Sequence, residues 1–200
     1  MEAETLMTAR PNLAEADHED EPVLVRSGVT LDDYLAMPET MASHNLIQGR
    51  LYMSPTPIFR HQQVVGHIYR ELFEFAAARG DIAILSPMDC HLPDGSVLQP
   101  DVIYINADRA DIIDRWVMGA PDLVIEVLSP GTRRFDRSKK LAAYERNGVR
   151  EAWLVDPVSF TVIVFSSDGA TWIRERSAMF GEHIPSDIVA IGSAGLEDFA

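Results

Sequence analysis

The 200-residue chain has one cysteine, Cys90, which excludes an internal disulfide and any cysteine-rich zinc site. Lysine is almost as scarce, with fifteen arginines against two lysines, adjacent at Lys139 and Lys140. No apolar run reaches the ~18–20 residues of a membrane-spanning helix. The N-terminus, Met1-Glu2-Ala3-Glu4, lacks the basic and apolar regions of a signal peptide. There is no GxSxG elbow, no P-loop and no GxGxxG, so three common catalytic and nucleotide-binding signatures are missing. These absences point to a cytoplasmic chain with no membrane partner.

What is present is enough to fold. At 46% hydrophobic and 24% charged residues, the composition is that of a globular domain with a real core. The net charge of −14 is uneven. Residues 1–40 hold ten acidic and two basic side chains, whereas residues 133–150 hold seven basic and two acidic ones. An acidic chain argues against tight, non-specific phosphate binding, but the basic stretch permits local phosphate contact. Residues 1–22 are acidic and without apolar periodicity, which predicts a disordered tail. The remainder, 23–200, reads as one domain.

Thr30 with Asp33 predicts a capped short helix ending near Pro38. Leu46 to Met53 reads as a strand interrupted by Gly49. Val64, Val65, Ile68, Leu72, Phe75 and Ala76 recur at helical spacing, predicting a helix from Arg60 to Ala78. Two strands follow, Ile82 to Leu92 and Val97 to Ile105, joined by the Pro93-Asp94-Gly95-Ser96 turn. Residues 106–120 are polar, with a short helical piece. Leu123 to Leu128 is the pattern of a strand buried on both faces. A helix over about 134–147 and strands at 151–155, 160–165 and 170–174 complete an α/β domain with a mixed sheet.

Glu126 is the anomaly. A carboxylate inside LVIEVL loses its water, which costs several kcal/mol unless something compensates. A structural ion pair or a retained proton would compensate, and so would a divalent cation. Asp101 is a second carboxylate set in an apolar strand, where Asp is poorly suited. An Asp opening a strand after Pro100 is the plainer reading of that residue alone. Two such carboxylates, 25 residues apart on neighbouring strands, favour Mg²⁺ or Mn²⁺ held by oxygen ligands. Arg137, Lys140, Leu141 and Tyr144 fall at one helical face, which turns Lys140 toward the sheet and leaves Lys139 nearer solvent or Asp136. His61 opens the long helix beside Gln62 as a weaker candidate for a phosphate or the metal shell, a capping or solvated histidine being the plainer reading. Structural roles are the better reading for Cys90, His91 and Asp122.

These residues resemble the PD-(D/E)XK nuclease superfamily, and within it the Uma-two family of restriction endonuclease-like proteins. The resemblance runs over most of residues 30–165. It is carried by Gln99-Pro100-Asp101, by Pro121 to Pro130, by Asp136 through Lys140-Leu141 and Tyr144 to Val149, and by Glu151 to Pro157. It implies a restriction-endonuclease-like αβββαβ core, with a central mixed sheet flanked by helices. Asp101 and Glu126 would hold the metal, with Asp101, Glu126 and Lys140 as the catalytic set; beside it, the reading of the residues adds His61, Gln62 and Tyr144 as auxiliary candidates. Leu128 stands where the superfamily usually has lysine, and the resemblance places that lysine at Lys140. Asn45, Gln48 and Arg50 stand where the family usually has acidic residues, the first of which would assist the metal. The expected function is a Mg²⁺- or Mn²⁺-dependent endonuclease acting on DNA, with a homodimer as a compatible assembly. The alternative is a catalytically silent binding or regulatory module on the same fold, favoured by Asn45 and by the acidic net charge.

Overall fold

The computed structural model describes residues 22–38 and 42–199. All but the last residue of the expected acidic tail, 1–22, therefore lie outside the described residues. Strand β1 (Val23–Ser27), which the sequence pattern did not reveal, precedes helix α1 (Leu31–Leu35). The expected cap forms: the Thr30 hydroxyl accepts from Asp33 N, and the Asp33 carboxylate accepts from Thr30 N. The interrupted strand at 46–53 is instead a hairpin of β2 (His44–Ile47) and β3 (Arg50–Met53). Its turn residues Gln48 and Gly49 both have positive φ, 47° and 72°, the geometry of a tight two-residue hairpin.

Helix α2 (Phe59–Arg79) forms as its apolar periodicity dictates and stops at Gly80, whose φ of 77° permits a left-handed cap. The next two strands are each broken in two. Strands β4 (Ile82–Leu85) and β5 (Cys90–His91) belong to different sheets, and so do β6 (Val97–Leu98) and β7 (Val102–Ile105). Both breaks, at residues 86–89 and 99–101, contain a proline, which cannot donate to a ladder. A short 3-10 helix (Ala107–Ile112) leads to β8 (Val117–Met118) and β9 (Leu123–Val127). The second long helix runs through α3 (Arg133–Phe135), a π-helical stretch (Asp136–Lys140) and α4 (Leu141–Arg146). Strands β10 (Glu151–Asp156), β11 (Thr161–Ser167) and β12 (Trp172–Met179) follow.

The central sheet has the order β12-β11-β10-β9-β7-β4, and only its β9–β10 pair is parallel. Read along the chain, α2, β4, β7, β9, the second helix and β10 give the αβββαβ core. A second sheet of order β1-β3-β2-β6-β5-β8 receives the broken strands. Side-chain alternation divides β9 between two cores. Leu123, Ile125 and Val127 pack with α2 residues such as Val64, Ile68 and Leu72. Val124 packs on the opposite side with Phe135, Ala143 and Tyr144 of the second helix. Glu126 shares that opposite face, because strand side chains alternate. Among the described residues, no helix is long and apolar enough to cross a membrane.

Candidate active site

The antiparallel register of β7 and β9 pairs Val102 with Ile125, and its next step sets Asp101 across from Glu126. Both residues line one cleft of about 580 Å³, together with Asp136, Lys140, His61 and Gln62. Glu126 is almost wholly buried, and its two oxygens have different partners. Lys140 Nζ donates to Oε2 at 2.8 Å and the Tyr144 hydroxyl to Oε1 at 2.5 Å. Lys140 also donates to the Gln99 carbonyl at 3.4 Å and lies 3.6 Å from Asp136 Oδ1. Asp101 Oδ2 accepts from Val127 N at 2.8 Å and lies 3.2 Å from His61 Nε2. No described protein group donates to the other Asp101 oxygen.

Three carboxylates thus surround one ammonium in a mostly buried space. Burial pushes the Glu126 carboxyl up to about 8; the Lys140 ammonium opposes this, while Asp136 and Asp101 reinforce it. Burial raises Asp136 as well. Burial alone would lower Lys140, but Glu126, Asp136 and Asp101 outweigh it and hold the proton more tightly than in an ordinary lysine. His61 behaves similarly: burial lowers it, and the bond to Asp101 more than restores it. The site is short of positive charge.

The sequence-derived candidates come together with one exception of position and one omission. Tyr144 stands behind Glu126, away from the cleft, so it fixes the carboxylate and cannot touch a substrate. Asp136 is the omission; it is buried against Lys140 and lines the cleft. Its spacing, four residues before Lys140 and eight before Tyr144, was the available signal. The expected helical face instead included Arg137, which is exposed. Residues four apart share a helix face, and the stretch from Asp136 to Lys140 is wound as a π-helix, which departs from the regular wheel that puts Arg137 inside. Lys139 is exposed as expected, yet its ammonium sits over the Tyr52 and Phe135 rings and not at Asp136.

Other residues are committed elsewhere. Asn45 is buried, accepting from Gln99 N and donating to the Ser54 hydroxyl, while Gln48 and Arg50 are exposed at the hairpin. Asp122 accepts from Arg109 and Arg150 at the far end of β9. The Cys90 thiol donates to the Gly119 carbonyl, and His91 packs on Trp116. Among the described residues, no three His, Cys, Asp or Glu side chains are gathered tightly enough to form a metal cluster.

A family model for Uma2, described as "Putative restriction endonuclease", matches residues 31–193. The chain belongs to the Uma2 family. A search of curated proteins gives no match. Among solved structures, this Uma2 chain is similar to a putative nuclease belonging to DUF820 from Anabaena variabilis. The two share 21% sequence identity and a TM-score of 0.72, over 86% of this chain and 98% of that one. That likeness is one of fold.

Proposed function

We propose that this Uma2 chain is a metal-dependent endonuclease that hydrolyses DNA phosphodiester bonds. The observation that carries the reading is the buried Glu126–Lys140 pair beside Asp101, in a cleft where three carboxylates meet a single ammonium. The donor set fits a hard divalent cation, Mg²⁺ or Mn²⁺. Its oxygens are carboxylates, one Asp101 oxygen has no donor among the described residues, and the local charge calls for a cation. Asp101 and Glu126 would hold it. When bound, such a cation neutralises phosphate charge and lowers the pKa of a water.

The remaining roles belong to the chain itself. Lys140 presents a compact ammonium that offsets the charge growing on the phosphate as water adds and the ester bond breaks. Asp136 holds that ammonium from one side and Glu126 from the other. His61 orients Asp101, and Tyr144 orients Glu126.

A second reading, a silent module on the same fold, is favoured by one observation. Both Glu126 oxygens already have protein donors, and Asn45 brings no charge to the site. Plasmid nicking by wild type and Glu126→Ala, with Mg²⁺, Mn²⁺ or EDTA, separates the two. The nuclease reading expects nicking by wild type with either metal, none in EDTA, and at least a hundredfold loss in the variant. Equal inertness of both proteins, or nicking that survives EDTA, overturns it.

A further inference from the structure

Beside the catalytic cleft lies a second hollow of about 530 Å³, within the range of small-molecule sites. The two share Ala42, Pro87 and Gln99 as a common wall. Gln99 links them. Its carbonyl accepts from the Lys140 ammonium at 3.4 Å, while its side-chain amide donates to Asp89 Oδ1 at 2.7 Å on the second side. The floor of the second hollow is aromatic and cationic. Trp116 packs on the His91 ring at 4.9 Å and carries the Arg115 guanidinium over its own ring at 4.7 Å. Asp89, held also by the Tyr34 hydroxyl at 3.2 Å, provides acceptor oxygens at the edge.

We infer that this hollow is a nucleobase subsite, and that the substrate enters it as an unpaired strand. The inference rests on the nuclease reading for its neighbouring phosphate, but it concerns a different surface. A planar platform of indole and guanidinium is what an unstacked base packs on, and the Asp89 oxygens accept from base N–H groups. A paired base inside a duplex can present neither its face nor its Watson–Crick edge. Charge points the same way. A chain of net charge −14 gains little from phosphate contacts alone, so stacking has to supply affinity that charge does not. The shared wall then couples recognition to chemistry, since a base seated against Asp89 and Gln99 bears on the residue whose carbonyl positions Lys140.

The test is binding in EDTA, which separates it from cleavage. A fluorescein-labelled 12-nucleotide single strand and the corresponding duplex are titrated with wild type, Trp116→Ala and Trp116→Phe, read by anisotropy. Wild type should prefer the single strand. Trp116→Ala should lose about tenfold on the single strand, equivalent to ~1.4 kcal/mol of stacking, and little on the duplex. Trp116→Phe should stay near wild type. If Trp116→Ala fails to fold, the exposed Arg115→Gln should show the same selective loss at smaller size. A wild type that binds duplex as well as single strand, or variants that weaken both equally, overturns the inference. Single-strand binding that depends on Trp116 in a chain that nicks nothing would uphold the subsite and sink the nuclease reading alone.

Discussion

Glu126 and Glu151 stand on the two parallel strands at the centre of the sheet, and both are almost completely removed from water. Their surroundings differ in kind. Among the described residues, Glu151 accepts from neutral donors alone: the Trp153 indole at 2.7 Å, Asp187 N at 2.9 Å, and the hydroxyls of Ser166 and Ser186. These donors tie the segment after β12 onto the sheet, where Ile184, Val189 and Ile191 complete the core over α2. Glu126 meets an ammonium, a phenol and two further carboxylates, and opens on a cleft. A buried carboxylate satisfied by neutral groups closes a structure. One set among charges keeps a local imbalance that a ligand can relieve.

The largest effect that sharpens this contrast is on stability. Glu151→Ala strands the Trp153 indole N–H inside the protein and takes the acceptor from the half-buried Ser186 hydroxyl and from Asp187 N. Loss of these bonds should cost about 3–5 kcal/mol in all. For a chain of this size that is a fall in Tm of about 10 °C by differential scanning calorimetry. Nicking per folded molecule, measured well below that Tm, should be unchanged. Glu126→Ala should do the reverse, folding but not cutting. If Glu151→Ala abolished cutting in a well-folded protein, the division between the two glutamates would collapse.

A smaller effect concerns pH. The ordinary Glu value is 4.5, and burial raises that of Glu126 to about 8. Between these values the folded state keeps a proton that the unfolded state releases. This stabilising contribution is complete below pH 4.5 and is lost as pH rises through about 8. Gln cannot titrate, so the Tm of Glu126→Gln relative to wild type should climb from pH 5 to pH 8. The gain should be on the order of 1–2 kcal/mol, reduced because Lys140 loses a charged partner. A Tm difference that stays flat over this range would remove the claim that Glu126 carries an electrostatic penalty.

The two glutamates were not equally legible. Glu126 interrupts a run of apolar residues, so its cost is visible without coordinates. Glu151 begins a strand, and its donors at Ser166, Ser186 and Asp187 are 15 to 36 residues away, the last two in a segment for which the sequence predicts no element. The same limit explains the fold. Helix α2 and strand β9 carry their periodicity within a few turns or pleats, and both formed close to the expected bounds. The split of the 82–105 hairpin between two sheets depends on which distant strands receive each half, as β6 shows by pairing with β2. Asp136 was hidden for a different reason. Its four-residue spacing from Lys140 is compatible with the inner face, but the run from Asp136 to Lys140 has no apolar residue to mark that face, and its π-helical winding departs from the wheel that puts Arg137 inside.

The smallest predicted effect separates the two lysines. They are adjacent in sequence, yet Lys140 is buried among carboxylates while Lys139 is exposed. The Lys139 ammonium lies 5.3 Å from the Tyr52 ring centre and 5.6 Å from that of Phe135. Exposed contacts of this kind are worth ~0.5–1 kcal/mol. The two rings still meet edge-on at 4.9 Å without it, so Lys139→Ala should lower stability by no more than about 1 kcal/mol. Its nicking rate should fall only a few fold at low salt, and the difference should vanish as salt screens phosphate contacts. Lys140→Ala should be near the blank at every salt concentration. Lys140→Arg should fare little better, because a planar guanidinium does not fit between Glu126 and Asp136 as a compact ammonium does. A salt-independent loss in Lys139→Ala, equal to that of Lys140→Ala, would show that burial among the three carboxylates is not what distinguishes the working lysine.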